Sequence, residues 1–329
     1  MSAKHTEDSV LELARGFMAS RVLLIAAELD LFTLLTPKPL TAEEIAAATK
    51  TRLREISILL DALSALGLLV KNDGSYRTEP SAIPLLSADA SESILPMVLH
   101  MGTVWQNWSH ITDIVRGKAT PSLKKGTLDE ENCRAFIGAM HVVASKAAPA
   151  VVAAVNPGNA RRLLDVGGGS GTYTLAFLEA APAMQATLFD LPPVIEMARD
   201  RVRAAGMVGR VTFAAGDFYK DELPAGHDLA LLSAIIHQNS PAQNDALYGK
   251  IYRALDSGGR IVVRDHVMSA DRTQPPEGAL FAVNMLAATE GGRTYTFDEI
   301  KSGLTAVGFT RINLIQTKGM FSLVEGFKP

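Results

Sequence analysis

A single cysteine, Cys133, stands among 329 residues, so no intramolecular disulfide can staple the chain and a reducing compartment is expected. Charge of one sign is missing as well. The 32 lysines and arginines against 35 aspartates and glutamates leave a formal charge of -3, too weak a field to draw the protein onto a polyanion. No nucleic-acid partner is expected. The opening MSAKHTEDSV does not have the cationic-then-apolar order of a secretory signal, and the expected location is the cytoplasm. The densest early apolar run, residues 22–27, stops at Glu28, far short of the roughly 20 residues that span a bilayer. No membrane partner is expected either. Low-complexity tracts are absent, and 47% hydrophobic with 20% charged residues excludes disorder, collagen-like repeats and coiled-coil rods for the whole chain.

What is present is about twice the length of a common domain. Its texture changes near residue 158, giving three expected segments: a mainly helical domain over 1–117, a linker and helix over 118–157, and an α/β domain over 158–329. In the first, Val10, Leu13, Phe17 and Leu24 recur at helical spacing, and a long amphipathic helix is expected over 12–35, closed by Pro37 and Pro39. Thr41 and Glu44 have the spacing of a capping box, so a short helix should follow. Leu53, Ile56, Leu60, Leu63 and Leu66 make a second stripe ended by Gly67, and residues 68–78 read as a β-hairpin turning at Asn72-Asp73-Gly74. Helix, turn, helix, hairpin is the winged-helix order. Arg52, Arg54, Lys71 and Arg77 are interleaved with Glu55, Asp61, Asp73 and Glu79, so the pattern favours packing or dimerisation over DNA reading. A further helix over 94–115 carries Met101, Trp105 and Trp108; a polar loop over 117–127 precedes a helix over 129–155.

After residue 158, apolar runs at 163–166, 187–189, 211–213, 229–236 and 261–263 alternate with helical stretches. That is the pattern of βαβ units on a parallel sheet buried on both faces. A last helix over 297–307 is followed by two runs, 311–316 and 321–325, joined by four residues. No crossover helix fits there, so this pair is antiparallel. The first strand runs into Asp165-Val166-Gly167-Gly168-Gly169-Ser170-Gly171, where glycines let the backbone turn tightly and approach a ligand at the carboxyl edge of the sheet. Its spacing departs from the dinucleotide fingerprint, since a third glycine would fall at Thr172, and a nucleoside without a pyrophosphate fits better. Asp190, in Asp190-Leu191-Pro192, ends the second strand nineteen residues after Gly171 and can accept from both ribose hydroxyls. After the third strand, Gly216-Asp217-Phe218 offers an acid for an adenine amino group and an aromatic ring for its face.

These motifs, with the strand end Leu-Ser233-Ala-Ile-Ile-His237, resemble the S-adenosylmethionine-dependent O-methyltransferases of the plant caffeate type and their bacterial natural-product relatives. The likeness covers nearly the whole chain. It implies a Rossmann-like class I methyltransferase sheet with an antiparallel last strand, preceded by a winged-helix dimerisation domain, in a homodimer. The implied cofactor is S-adenosyl-L-methionine, leaving S-adenosyl-L-homocysteine, with no metal. Asp165, Gly167, Gly168, Gly169, Asp190, Leu191, Gly216, Asp217, Phe218 and Ser233 are the expected cofactor residues.

The resemblance makes His237 the general base toward a hydroxyl of a small aromatic or polycyclic acceptor, with a phenol as the expected partner. Neutral imidazole can take a proton from a phenol whose acidity rises as its oxygen attacks. Asp265, ending the next strand, would fix the tautomer. Acceptor-lining residues by the same likeness are Phe136, Met140, His141, Phe281, Asn284, Met285 and Thr289. Departures stand out too. The family's His-Asp-Trp reads His237-Gln238-Asn239, its acidic partner in Gly-Gly-Lys-Glu-Arg-Thr meets Thr294, and a basic residue of plant members is Ser233. Two alternatives remain open: C- or N-methyl transfer or another S-adenosylmethionine-using reaction on this fold, and a winged-helix transcription factor with a ligand-sensing domain.

Overall fold

Residues 5–121, 130–316 and 320–329 are described by a computed structural model, which divides into two units, Met1–Thr103 and Val104–Pro329. The division falls within a helix rather than at the loop near 117. Residues 317–319 of the turn expected at 317–320, and most of the loop at 117–127, lie outside the described residues.

The first unit holds α1 (Glu7–Arg15), α2 (Phe17–Glu28), α3 (Leu31–Leu34), β1 (Leu40–Thr41), α4 (Ala42–Thr49), α5 (Leu53–Ala65), β2 (Leu69–Asn72), β3 (Ser75–Thr78), α6 (Ile83–Leu86) and the larger part of α7 (Leu95–Trp108). In place of the single helix expected over 12–35 there are three. The chain breaks at Gly16 and again near Asp30, which adopts a left-handed φ of 51°. That turn carries Leu31, Phe32 and Leu35 into the core, while Val10, Leu13 and Phe17 of the expected stripe stay exposed. Around α4 the capping box forms as its spacing predicts, Thr41 N–H donating to Glu44 Oε2 at 2.8 Å and Glu44 N–H to Thr41 Oγ1 at 3.3 Å. Ile56, Leu60 and Leu63 of α5 are buried, and its stripe frays at Leu53 and Leu66. The hairpin turns over two residues, Asp73 and Gly74, both at positive φ, as a tight right-twisted hairpin requires. β1 pairs with β3 and completes a three-stranded wing.

In the second unit the helix expected over 94–115 ends at Trp108 and resumes as α8 (Ile111–Val115). Then follow α9 (Glu130–Val155), β4 (Arg162–Val166), α10 (Thr172–Ala180), β5 (Gln185–Asp190), α11 (Pro192–Ala204), β6 (Val211–Ala215), β7 (His227–Ser233), α12 (Pro241–Ala254), β8 (Leu255–Asp265), β9 (Val267–Met268), α13 (Pro276–Ala288), β10 (Tyr295–Thr296), α14 (Phe297–Ala306), β11 (Thr310–Gln316) and β12 (Ser322–Phe327). The seven-stranded sheet has the order β11-β12-β8-β7-β4-β5-β6, and only β12 runs against its neighbours. Alternate residues of its strands enter two cores. Leu163, Leu231 and Val262 pack with α9, α10 and α11, and Leu164, Leu232 and Val263 with α12 and α14.

Within α9, the stretch Ala135–Val155 is long and apolar enough by length and composition to cross a bilayer, with a mean hydropathy of 1.5. Its Ala148, Val151, Val152 and Val155 are instead spent on the first of these cores.

Leu231, fully buried in β7, holds the strand that ends at the site. Leu231→Ala should lower unfolding free energy by about 2–5 kcal/mol. Urea denaturation would register this as a lower midpoint at unchanged slope.

Candidate active site

The carboxyl ends of β4, β5, β7 and β8 lie side by side because the strands pair in register, Val166 beside Phe189 and Leu232, and Ser233 beside Arg264.

After β4, Gly167, Gly169 and Gly171 all take positive φ. A Cβ on Gly168 would lie 2.7 Å from Leu188, so its neighbours leave no room for a side chain. Gly169 differs, since a Cβ there would meet nothing within 4 Å. The loop is packed tightly beneath and open outside, a cradle into which a ligand can press against backbone. Asp190 reaches across to the loop, accepting from Gly169 N at 2.8 Å, and accepts from the N–H of its own neighbour Leu191 at 2.7 Å. Burial pushes the Asp190 carboxyl up to about 6, against the pull of those two donors. Asp165 lies beneath the loop and is also pushed up to about 6, by burial first and then by the charge of Asp190. Its Oδ2 accepts from Thr174 Oγ1 at 2.6 Å, so it ties the loop to α10.

Past β6, Gly216 has no space for a side chain against Phe189, and its N–H donates to Asp190 O at 2.9 Å. Phe218 leans toward Gly167 and tilts on Tyr219, with centroids 4.6 Å apart. Asp217 accepts from Tyr219 N at 3.0 Å and pairs with Lys220 at 3.1 Å. Burial works to raise its carboxyl, but these donors outweigh it and hold it below the usual range. Leu191 is exposed beside Asp190. An open glycine cradle, a carboxylate at its rim and an aromatic ring alongside fit a nucleoside.

His141 is placed against this loop. Arg201 Nη1 donates to its Nε2 at 2.7 Å, so Nδ1 carries the proton and donates to Thr172 Oγ1 at 2.8 Å; Thr172 meets Ser170 at 2.9 Å. Burial and then the Arg201 charge hold the imidazole below its ordinary value. The chain of bonds pins α9 and α11 to the start of α10.

On the other side of β7, His237 stands in a short turn, Ile236–Gln238. Its Nδ1 lies 2.8 Å and 3.0 Å from the two oxygens of Asp265. A carboxylate there accepts from Nδ1–H and leaves Nε2 bare, the nitrogen able to take a proton. Burial works to raise the Asp265 carboxyl, but the facing imidazole outweighs it and keeps the group below the usual range. Asp265 Oδ1 also accepts from His266 N at 2.7 Å. The turn is braced by Asn239, which is fully buried, receives Tyr219 Oη and donates to Asn244 Oδ1 at 2.9 Å; Asn244 in turn donates to Ile236 O at 3.0 Å. Ala234 enters the turn at a left-handed φ of 57°, strain of order 1 kcal/mol held by this bracing.

Phe281 meets His237 edge-on, with centroids 4.8 Å apart, and stacks on His266 at 4.1 Å. Asn284 Oδ1 accepts from Trp108 Nε1 at 2.9 Å, which leaves its amide nitrogen as the free end. Thr289 is a fastener: it donates to Met285 O at 2.8 Å and accepts from Gly292 N at 2.8 Å. A Cβ on Gly292 would fall 2.5 Å from His237 O, so glycine there lets the loop after α13 lie on the His237 turn. Met285 is buried, Met140 half-buried and Phe136 exposed. Thr294 is buried, its carbonyl accepting from Arg272.

Two residues on β8 and just after it were missed from sequence. Arg264 is buried with Nη1 on Ser233 Oγ at 3.2 Å. His266 is buried with neither ring nitrogen in a completed hydrogen bond, although the Met320 backbone lies alongside. Burial drives its imidazole down to about 4, so it stays neutral beside His237. Polar residues ending so apolar a run were the available signal. Among the described residues there is no group of three or more His, Cys, Asp or Glu that could hold a metal ion.

Residues 114–310 match the family model of the O-methyltransferase domain and residues 11–88 that of the O-methyltransferase dimerisation domain. The chain is 32% identical to the 3-hydroxy-5-methyl-1-naphthoate 3-O-methyltransferase of Streptomyces sahachiroi, over 96% of this chain and 94% of that one. It is also 32% identical to the tetracenomycin polyketide synthesis 8-O-methyl transferase of Streptomyces glaucescens, over 97% and 96%. Human N-acetylserotonin methyltransferase in complex with SAM superposes with a TM-score of 0.85 at 27% identity, covering 100% of this chain and 99% of that one. The chain belongs to the O-methyltransferase family and is an enzyme that uses S-adenosylmethionine. The fold expected from its motifs is the fold it has, and the ligand-sensing alternative gives way to the enzymatic one.

Because ionised Asp190 offers more acceptor sites than its protonated form, affinity for S-adenosylhomocysteine should fall as pH drops through about 6. Asp190→Asn should weaken binding by about 1–3 kcal/mol at neutral pH and flatten that dependence. Calorimetric titration at several pH values reads both; an unchanged profile would remove Asp190 from the site.

Proposed function

We propose that this member of the O-methyltransferase family methylates a hydroxyl of a small aromatic or polycyclic acceptor, a phenol in particular, with His237 as general base and Asp265 as its positioning partner. The observation that carries this reading is the His237–Asp265 pair, whose bare Nε2 lies on the same sheet edge as the glycine cradle. When bound, S-adenosylmethionine supplies an electrophilic methyl group on a sulfonium. The protein's part is to hold the acceptor oxygen in line, remove its proton and keep water away. His237 Nε2 takes the proton as the oxygen attacks, and buried Asp265 stabilises the imidazolium that results. Phe281 offers an apolar face beside the base, and the free amide nitrogen of Asn284 offers a donor to a second oxygen on the acceptor. The two naphthoate and polyketide relatives, named for aromatic and polycyclic acceptors, support that substrate class.

Asp190, Gly167, Gly168, Gly169 and Phe218 form the nucleoside seat in this reading, with Leu191, Gly216 and Asp217 at its edges and Asp165 supporting it from below. We further assign a homodimer built through the first unit. The dimerisation-domain match supports it, and so does α1, which buries none of its residues within one chain and leaves Leu13 81% exposed.

His237→Ala should leave S-adenosylhomocysteine affinity unchanged while cutting turnover by roughly 10² to 10⁴ on a phenolic acceptor found by screening. Near-normal turnover would assign the proton to another group.

A further inference from the structure

The last two residues of β8 carry opposite charges to opposite faces of the sheet. Asp265 faces His237. Arg264 shares its face with Val262 and Leu231, under α9 and α10, and is only 5% exposed. Among the described residues no carboxylate lies within ion-pair distance of its guanidinium, which lies over the Phe321 ring at 3.9 Å and the Tyr173 ring at 5.2 Å. Among the described residues its guanidinium makes one hydrogen bond, from Nη1 to Ser233 Oγ. Beside it, Tyr173 Oη is buried and completes no hydrogen bond, although Ser233 is its neighbour. A cation and a phenol, both able to donate, therefore meet at the end of β7 with no acceptor of opposite charge among the described residues. Buried charge without a counter-charge is unfavourable, so a site of this kind is built for an anion that arrives from outside.

Its place in the sheet says which anion. Tyr173 is the second residue of α10, the helix that opens directly after the glycine cradle. Ser233 ends β7, two strands from Asp190 at the end of β5, a separation of about 10 Å at the usual strand spacing. An amino-acid tail extended from a ribose held at Asp190 can cover that distance, and the negative group of S-adenosylmethionine is the carboxylate of that tail. We propose that Arg264, with Tyr173 and Ser233, seats the amino-acid carboxylate of the cofactor and makes this chain select cofactors that carry one. The proposal rests on the S-adenosylmethionine assignment above.

The test is calorimetric titration of the full chain with S-adenosylhomocysteine and with its decarboxylated analogue, which keeps the amine. Arg264→Met should lower affinity for S-adenosylhomocysteine roughly 10- to 100-fold while leaving that for the analogue within about two-fold, so the preference collapses. Arg264→Lys should recover part of it. Equal losses for both ligands, or no loss for either, would overturn the proposal and make Arg264 a packing residue. Should Arg264→Met not fold, judged by its melting curve, Tyr173→Phe removes a single oxygen. It should cost several-fold on S-adenosylhomocysteine alone, and an unchanged ratio of the two affinities would be equally decisive against the proposal. A wild-type chain that binds neither ligand would contradict the cofactor assignment itself.

Discussion

Parallel strand register is the constraint on which the site depends. Because β5, β4, β7 and β8 pair without slippage at their carboxyl ends, one edge receives Asp190, the glycine loop, Ser233 and Asp265 together. A shift of one residue in β8 would exchange Arg264 and Asp265 between faces, turning the cation toward His237 and the carboxylate toward Tyr173. Both charged ends would then meet the wrong partners. The deep burial of Leu231, Leu232, Val262 and Val263 on alternating faces is what forbids that shift.

Around this edge the molecule spends polar bonds on holding loops still. Asp165 to Thr174 and the relay from Arg201 through His141 to Thr172 fix the cradle on one side. Asn239, Asn244, Thr289 and Gly292 fix the His237 turn on the other. Preorganisation of this kind would let the proposed base and its partner act without rearrangement. Two imidazoles adjoin Asp265, and burial separates them: His266, stacked on Phe281, is kept neutral, while His237 sets its Nδ1 against the carboxylate, the arrangement the proposed base needs.

Features with local signatures were legible in the sequence. The Thr41 capping box, the Asp73-Gly74 turn, the alternation of strand and helix after residue 158 and the glycine loop each depend on neighbours a few residues away, and each is present. The break at Asp30 was not legible, because burial of Leu31 and Phe32 outweighs the continuous helical pattern of 12–35. Long-range partners were equally hidden. Nothing in the sequence ties Asn284 to Trp108 or Arg264 to Tyr173, and the role of Asn239 as a brace appears only when Tyr219 and Asn244 are brought beside it. Ser233, expected as a cofactor contact, has its hydroxyl against Arg264 one strand away, a partner the sequence did not show.

The most direct test of this account is the tautomer of His237. Nitrogen NMR of histidine-labelled protein in mildly alkaline buffer, with the His237 signals assigned by comparison with His237→Gln, reports which ring nitrogen carries the proton. His237 as base requires a protonated Nδ1 held by Asp265 and a bare Nε2, and Asp265→Asn should disturb that preference. A proton resident on Nε2, with Nδ1 bare, would contradict His237 as the base.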